Sequence, residues 1–132
     1  MTIQWDEQRM TTGVPEIDAQ HKEWIRRFNE FEEAVVNHKG QEAIQATLDF
    51  LGRYAETHFA DEEARMISSK SPALEENRSD HDVFRRKLAE IRSWVEREGA
   101  TTVEVLALRG TLEDWLVNHI CTIDVKLRGT GL

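Results

Sequence analysis

The sequence predicts an all-α fold, an up-down-up-down antiparallel four-helix bundle preceded by an N-terminal arm. Three observations carry this. Four segments repeat apolar residues at intervals of three and four, the spacing that gives a helix one apolar face. Helix start and stop residues punctuate the chain between those segments. No segment alternates apolar and polar residues around a hairpin turn, as paired strands would.

Residues 1–14 read as an irregular arm with Trp5 as its anchor. Pro15 suits a first helical position, where a missing N–H costs nothing, and Glu16 and Asp18 place negative charge near the positive helix end. The first helix then covers about 16–38, with Ile17, His21, Trp24, Phe28, Phe31 and Val35 on one face. Gly40 reads as its stop signal. The second helix covers about 41–66, and its inward stripe is Ile44, Leu48, Leu51, Ala55, His58 and Glu62. Ser71–Pro72 reads as cap and first residue of the third helix, about 72–98. That helix carries Leu74, Asn77, His81, Phe84, Leu88, Ile91 and Val95, and Gly99 stops it. Thr101 and Glu104 fit a capping box at the start of the fourth helix, about 102–127. Its stripe is Val105, Leu108, Leu112, Trp115 or Leu116, and His119, and Gly129 and Gly131 end the fold. Long helices joined by short loops are antiparallel neighbours, so residues 1–132 are expected to form a single domain.

Composition narrows the functional classes. The 132 residues are 39% hydrophobic and 32% charged, an ordinary globular balance with enough chain for a real core. A formal net charge of −8 without a Lys/Arg cluster argues against nucleic acid or an anionic membrane as the main partner. No apolar run approaches membrane-spanning length, and MTIQWDEQRM lacks a signal peptide's apolar core. Cys121 is the single cysteine, which excludes an internal disulfide. A cytoplasmic monomer is expected.

The chemistry sits in the histidines. Four of the five, His21, His58, His81 and His119, fall on the inward stripes, one per helix. The fifth, His38, lies off the stripe beside Gly40 and reads as a surface residue. Glu62 follows His58 by four residues, so the two share a helix face, and Asp124 follows His119 by five. His21 and His81 lie near the starts of their helices, His58 and His119 near the ends of theirs. Antiparallel alternation therefore brings all four to one end of the bundle. Buried imidazoles and carboxylates need partners, and a metal pair would satisfy the whole set. Iron fits best, because it tolerates six ligands, whereas zinc usually takes four. Ferritin-like carboxylate sites need a Glu-x-x-His motif on each of two helices. Asp18-x-x-His21 is the nearest approach here, and it lacks a counterpart. The one gap in the pattern is Asn77, four residues before His81, where a further imidazole would complete it.

The order His, His-x-x-x-Glu, His-x-x-x-His, His-x-x-x-x-Asp resembles the hemerythrin signature. Ile17-Asp18-Ala19-Gln20-His21-Lys22, His58-Phe59-Ala60-Asp61-Glu62-Glu63 and Asp114-Trp115-Leu116-Val117-Asn118-His119-Ile120 are similar to its motif regions. The likeness covers nearly the whole chain, including the arm with Trp5, and points to the single-domain bacteriohemerythrins of that family. It implies a non-haem di-iron centre, two iron ions with an oxo or hydroxo bridge, that takes up O2 reversibly for storage, delivery or sensing. His21 and His58 would hold the iron with the open O2 position, and His81 and His119 the other. Glu62 and Asp124 would bridge the two, and Leu116 would line the O2 pocket. The chain departs from the pattern at Asn77, which replaces a ligand imidazole and would ligate weakly through its amide oxygen or leave the place to water. That gap opens an alternative, a di-iron peroxidase or nitric-oxide-handling enzyme, with peroxide, nitric oxide and azide as further small ligands. One geometric expectation follows. Five residues on an ideal helix span ~500°, which leaves His119 and Asp124 ~140° apart. Joint ligation thus requires a widened, π-type turn between them.

Overall fold

The structure is a computed structural model that describes residues 3–122. It is a helical bundle, with no strand among the described residues. In chain order the elements are α1 (Glu7–Met10), α2 (Pro15–Val36), α3 (Gly40–Ser68), α4 (Leu74–Glu98), α5 (Thr102–Asp114), a π-helical turn (Trp115–His119) and α6 (Ile120–Thr122). Helix α2 packs on α3, α3 on α4, α4 on α5, and α5 back on α2. That closed circuit is what short connections between long helices produce.

The apolar stripes form the core. Phe28, Phe31, Phe59, Phe84, Ile44, Leu48 and Leu108 are all fully buried, and each such side chain contributes about 1.5–3 kcal/mol on leaving water. Trp115 and Leu116 are both buried, so the fourth stripe uses both positions. A smaller apolar cluster of Val14, Ile17, Met66 and Ala73 closes the end where α2 begins and α3 ends.

Several local expectations change. The arm contains a short helix, α1, capped by the Asp6 side chain on the backbone N–H groups of Gln8 and Arg9. Trp5 is only half-buried. The arm is held instead by buried Met10 and by a reciprocal pair in which Ile3 N donates to Asn29 Oδ1 and Asn29 Nδ2 to Ile3 O, both at 2.8 Å. Asp18 ties the arm to α2, accepting from Thr11 Oγ1 (2.8 Å) and from the Thr12 backbone (2.8 Å) and hydroxyl (2.7 Å). Gly40 opens α3 and does not stop α2, which ends at Val36. A Cβ there would stand 2.8 Å from Val105 Cγ1, so glycine is needed for the close approach of α3 to α5. His38 is exposed, in the turn between α2 and α3 with a φ of 60°.

Helix α4 begins at Leu74, two residues later than Pro72, after a turn in which Ala73 N donates to Ser71 Oγ at 3.2 Å. Gly99 ends it with a φ of 81°, the left-handed region glycine enters without strain. At the start of α5 the expected reciprocal cap does not form, because the Thr101 hydroxyl donates to the Glu104 carboxylate instead of the backbone. The widened turn lies one turn earlier than expected, over Trp115–His119, with Ile120 N–H bonding to Trp115 O. Ile120–Thr122 after it is α-helical. Asp124, Gly129 and Gly131 lie outside the described residues.

Candidate metal centre

The histidines converge because of helix phase and antiparallel order. His21 sits in the second turn of α2, His58 and Glu62 in the last turns of α3, His81 in the second turn of α4, and His119 at the end of the π turn. All five side chains are buried, Glu62 completely. Their ligating atoms form two groups, His21–His58–Glu62 and Glu62–His81–His119, with the atoms of each group within 4.8 Å of one another. Glu62 belongs to both.

The two oxygens of Glu62 divide between the groups. Oε2 lies 3.2 Å from His21 Nε2 and 3.3 Å from His58 Nε2. Oε1 lies 3.0 Å from His81 Nε2 and accepts from Asn77 Nδ2 at 2.9 Å. Burial alone pushes the Glu62 carboxyl up. The field of His58 and hydrogen bonds from His21, His58 and His81 outweigh it and hold the carboxyl well below the usual carboxylate range.

The outer nitrogens decide which way the rings present themselves. His58 Nδ1 contacts Gln20 Oε1 at 2.6 Å, His81 Nδ1 contacts Glu63 Oε2 at 2.7 Å, and His119 Nδ1 contacts Asp80 Oδ2 at 3.1 Å. Amide and carboxylate oxygens only accept, so each ring donates from Nδ1. In a neutral imidazole Nε2 is then a bare lone pair. At His58 and His81 that lone pair faces the Glu62 carboxylate, and the Nε2 atoms of His21 and His58 face each other at 3.1 Å. Acceptors aimed at acceptors in a dry interior are unfavourable unless a cation lies among them. Four imidazoles and a shared carboxylate are donors of the kind iron and related ions take, so the residues fit a metal pair. Ring stacking fixes the planes. Phe59 lies on His81 at 3.8 Å and 8°, and Trp115 on His119 at 3.8 Å and 13°.

Five of the six expected donors are thus brought together, and the sixth, Asp124, lies outside the described residues. Asn77 differs from expectation in its orientation. Its NH2 group, not its oxygen, faces Glu62, and it also approaches Met66 Sδ at 3.4 Å. A carboxylate attracts the donor end of an amide and repels the acceptor end, which accounts for the orientation. Asn77 Oδ1 is buried with no hydrogen-bond partner. Gln20, Glu63 and Asp80 were not among the expected site residues. The signal for them was their position, since each adjoins a candidate donor in sequence and points into the seam with the next helix.

The "Hemerythrin HHE cation binding domain" family model matches residues 12–128. The chain belongs to the hemerythrin family. A bacteriohemerythrin of Pseudomonas aeruginosa is 31% identical over 111 residues, 84% of this chain and 70% of that protein. A bacteriohemerythrin of Stenotrophomonas maltophilia is 30% identical over the same shares. The myohemerythrin of Theromyzon tessulatum is 27% identical over 126 residues, 96% of this chain and 91% of its own. No solved structure matches the chain at a comparable level. Among the described residues of this hemerythrin, no helix is long and apolar enough to cross a membrane.

Proposed function

We propose that this hemerythrin binds two iron ions between His21 and His58 on one side and His81 and His119 on the other, and binds O2 reversibly there. The observation that carries the reading is the division of Glu62. A single buried carboxylate gives one oxygen to each histidine group, as a bridge between two cations requires. Asp124 is proposed as the second bridge on the strength of the family pattern. The iron pair supplies the electrons that O2 binding needs. The chain's own residues hold, orient and keep the site dry. Gln20, Glu63 and Asp80 fix the ring tautomers, Phe59 and Trp115 fix the ring planes, and Leu116, 1% exposed, walls the site on the α5 side. Storage, delivery and sensing are all compatible with such a site.

The experiment is anaerobic iron loading followed by cycles of air and argon. The expected result is about two irons per chain and an absorption change that reverses over repeated cycles. Irreversible bleaching on the first exposure would reject reversible binding.

A second reading, peroxide or nitric oxide turnover at the same centre, draws on one feature. A cavity of about 300 Å³, lined by Asp80, Phe84, Lys87, Trp115 and Asn118, reaches His119. It gives small molecules an approach to the histidine group that Asn77 leaves with two imidazoles. Multiple turnovers with peroxide and a reductant would favour it over the carrier.

A further inference from the structure

Three outer hydrogen bonds run around the bundle in one direction. Gln20 on α2 holds His58 on α3, Glu63 on α3 holds His81 on α4, and Asp80 on α4 holds His119 in the π turn. The three holding residues adjoin His21, Glu62 and His81 in sequence. A sequence neighbour on a helix lies ~100° round the axis. When a candidate donor points along the bundle axis, its neighbour therefore points at the adjoining helix.

The three holding residues are not equivalent. Gln20 is a neutral amide, whereas Glu63 and Asp80 are carboxylates. Both carboxylates fall on the group of His81 and His119. That is also the group in which Asn77 stands where the family pattern has an imidazole. An imidazole whose Nδ1–H is held by a carboxylate is a more basic ligand at Nε2 than one held by an amide.

We infer that Glu63 and Asp80 are positioning residues that strengthen His81 and His119 as metal donors and so offset the imidazole missing at Asn77. The inference rests on the two-metal reading above. Two features moderate it. Glu63 also pairs with Arg78 at 3.4 Å, and the Asp80 side chain is 42% exposed. The expected effect therefore lies at the lower end of the roughly 10–100-fold that outer partners of ligand histidines contribute.

The test is anaerobic titration of the full chain with ferrous iron against a competing chelator. The variants are Glu63→Gln, Asp80→Asn, the two combined, and the reverse change Gln20→Glu, with and without Asn77→His. Each carboxylate variant should weaken one of the two binding steps about tenfold and leave the other unchanged. Gln20→Glu should tighten the other step. Asn77→His should restore the weakened step, a rescue that a merely structural role for the carboxylates would not give. Circular dichroism of the metal-free variants separates misfolding from lost affinity, and Gln20→Glu carries the test if a carboxylate variant does not fold. Unchanged affinity in the double variant overturns the inference. Equal weakening of both steps, a loss Asn77→His does not restore, or no tightening by Gln20→Glu overturns it as well. A wild-type chain that binds no iron at all would first reject the two-metal reading, and the inference with it.

Discussion

The two ends of the bundle are built from the same four long helices and solve opposite problems. At the end that holds Glu62, the stripes carry His21, His58, His81 and His119, and buried polar atoms face one another. At the other end the same stripes carry Phe31, Val35, Ile44, Leu48 and Leu108, and Gly40 lets α3 close on Val105. The buried charge at that end, Glu32, is matched directly by Arg109 through two hydrogen bonds. One end is thus complete within the chain, and the other is complete only with a cation. The apolar end should govern stability, and the histidine end should govern metal content.

The strongest attempt to break that division is Glu62→Ala. It removes the residue common to both histidine groups, so iron per chain should fall from about two toward none, measured by metal analysis after anaerobic loading. Circular dichroism of the metal-free variant should stay helical, because the apolar end is untouched. Loss of the fold in the metal-free protein would show that the two ends are not separable.

Phe31→Ala tests the other end. Truncating a fully buried phenylalanine should cost about 3–5 kcal/mol in urea unfolding, while the folded fraction keeps its full iron content. A lowered iron-to-folded-protein ratio would mean that packing at the apolar end sets the spacing of the histidines.

Arg109→Ala should cost about 2 kcal/mol at neutral pH, since it leaves Glu32 buried beside no guanidinium. The effect has a sign in pH. The hydrogen bond from Arg109 outweighs burial and holds the Glu32 carboxyl below its usual range. A folded-state value below the unfolded one gives stability that is present above the ordinary glutamate range and lost as pH falls through the folded value. The gap between wild type and Arg109→Ala should therefore narrow in acid. A gap that widens there would reverse the assignment.

The smallest change sharpens the comparison within the histidine end. Asn77→His should raise iron affinity about tenfold, near 1.4 kcal/mol, as read by chelator competition. Unchanged affinity would mean that the donor from Asn77 to Glu62 already does as much for the centre as an imidazole.

Much of this was legible in the sequence, for a physical reason. A helix repeats every 3.6 residues, so the spacing of Ile17, His21, Trp24, Phe28 and Phe31 fixes which side chains share a face. Antiparallel order then fixes which residues share a level, and five donors from four helices meet as that logic requires. What the pattern does not carry is the direction of a side chain within its turn. The amide of Asn77 is set by the charge of Glu62, contributed by another helix. Likewise the α3–α5 distance at Gly40 depends on Val105, 65 residues on in the sequence. The placement of the π turn before His119 has no local signature in residues 115–119, whose composition suits an ordinary helix as well.

That turn has a consequence for how the chain tolerates changes in length. Adding or removing a residue inside an α-helix normally rotates everything beyond it by ~100°. A π turn holds one residue more than the α-turn it replaces, as a bulge in an otherwise continuous helix. Deleting one residue between Trp115 and His119 would let the helix close into regular form with Leu112 and Ile120 still facing the core. The helix end nearest the metal site thus carries a spare residue, and it is the one stretch of this bundle where a deletion need not turn the rest of the helix out of register.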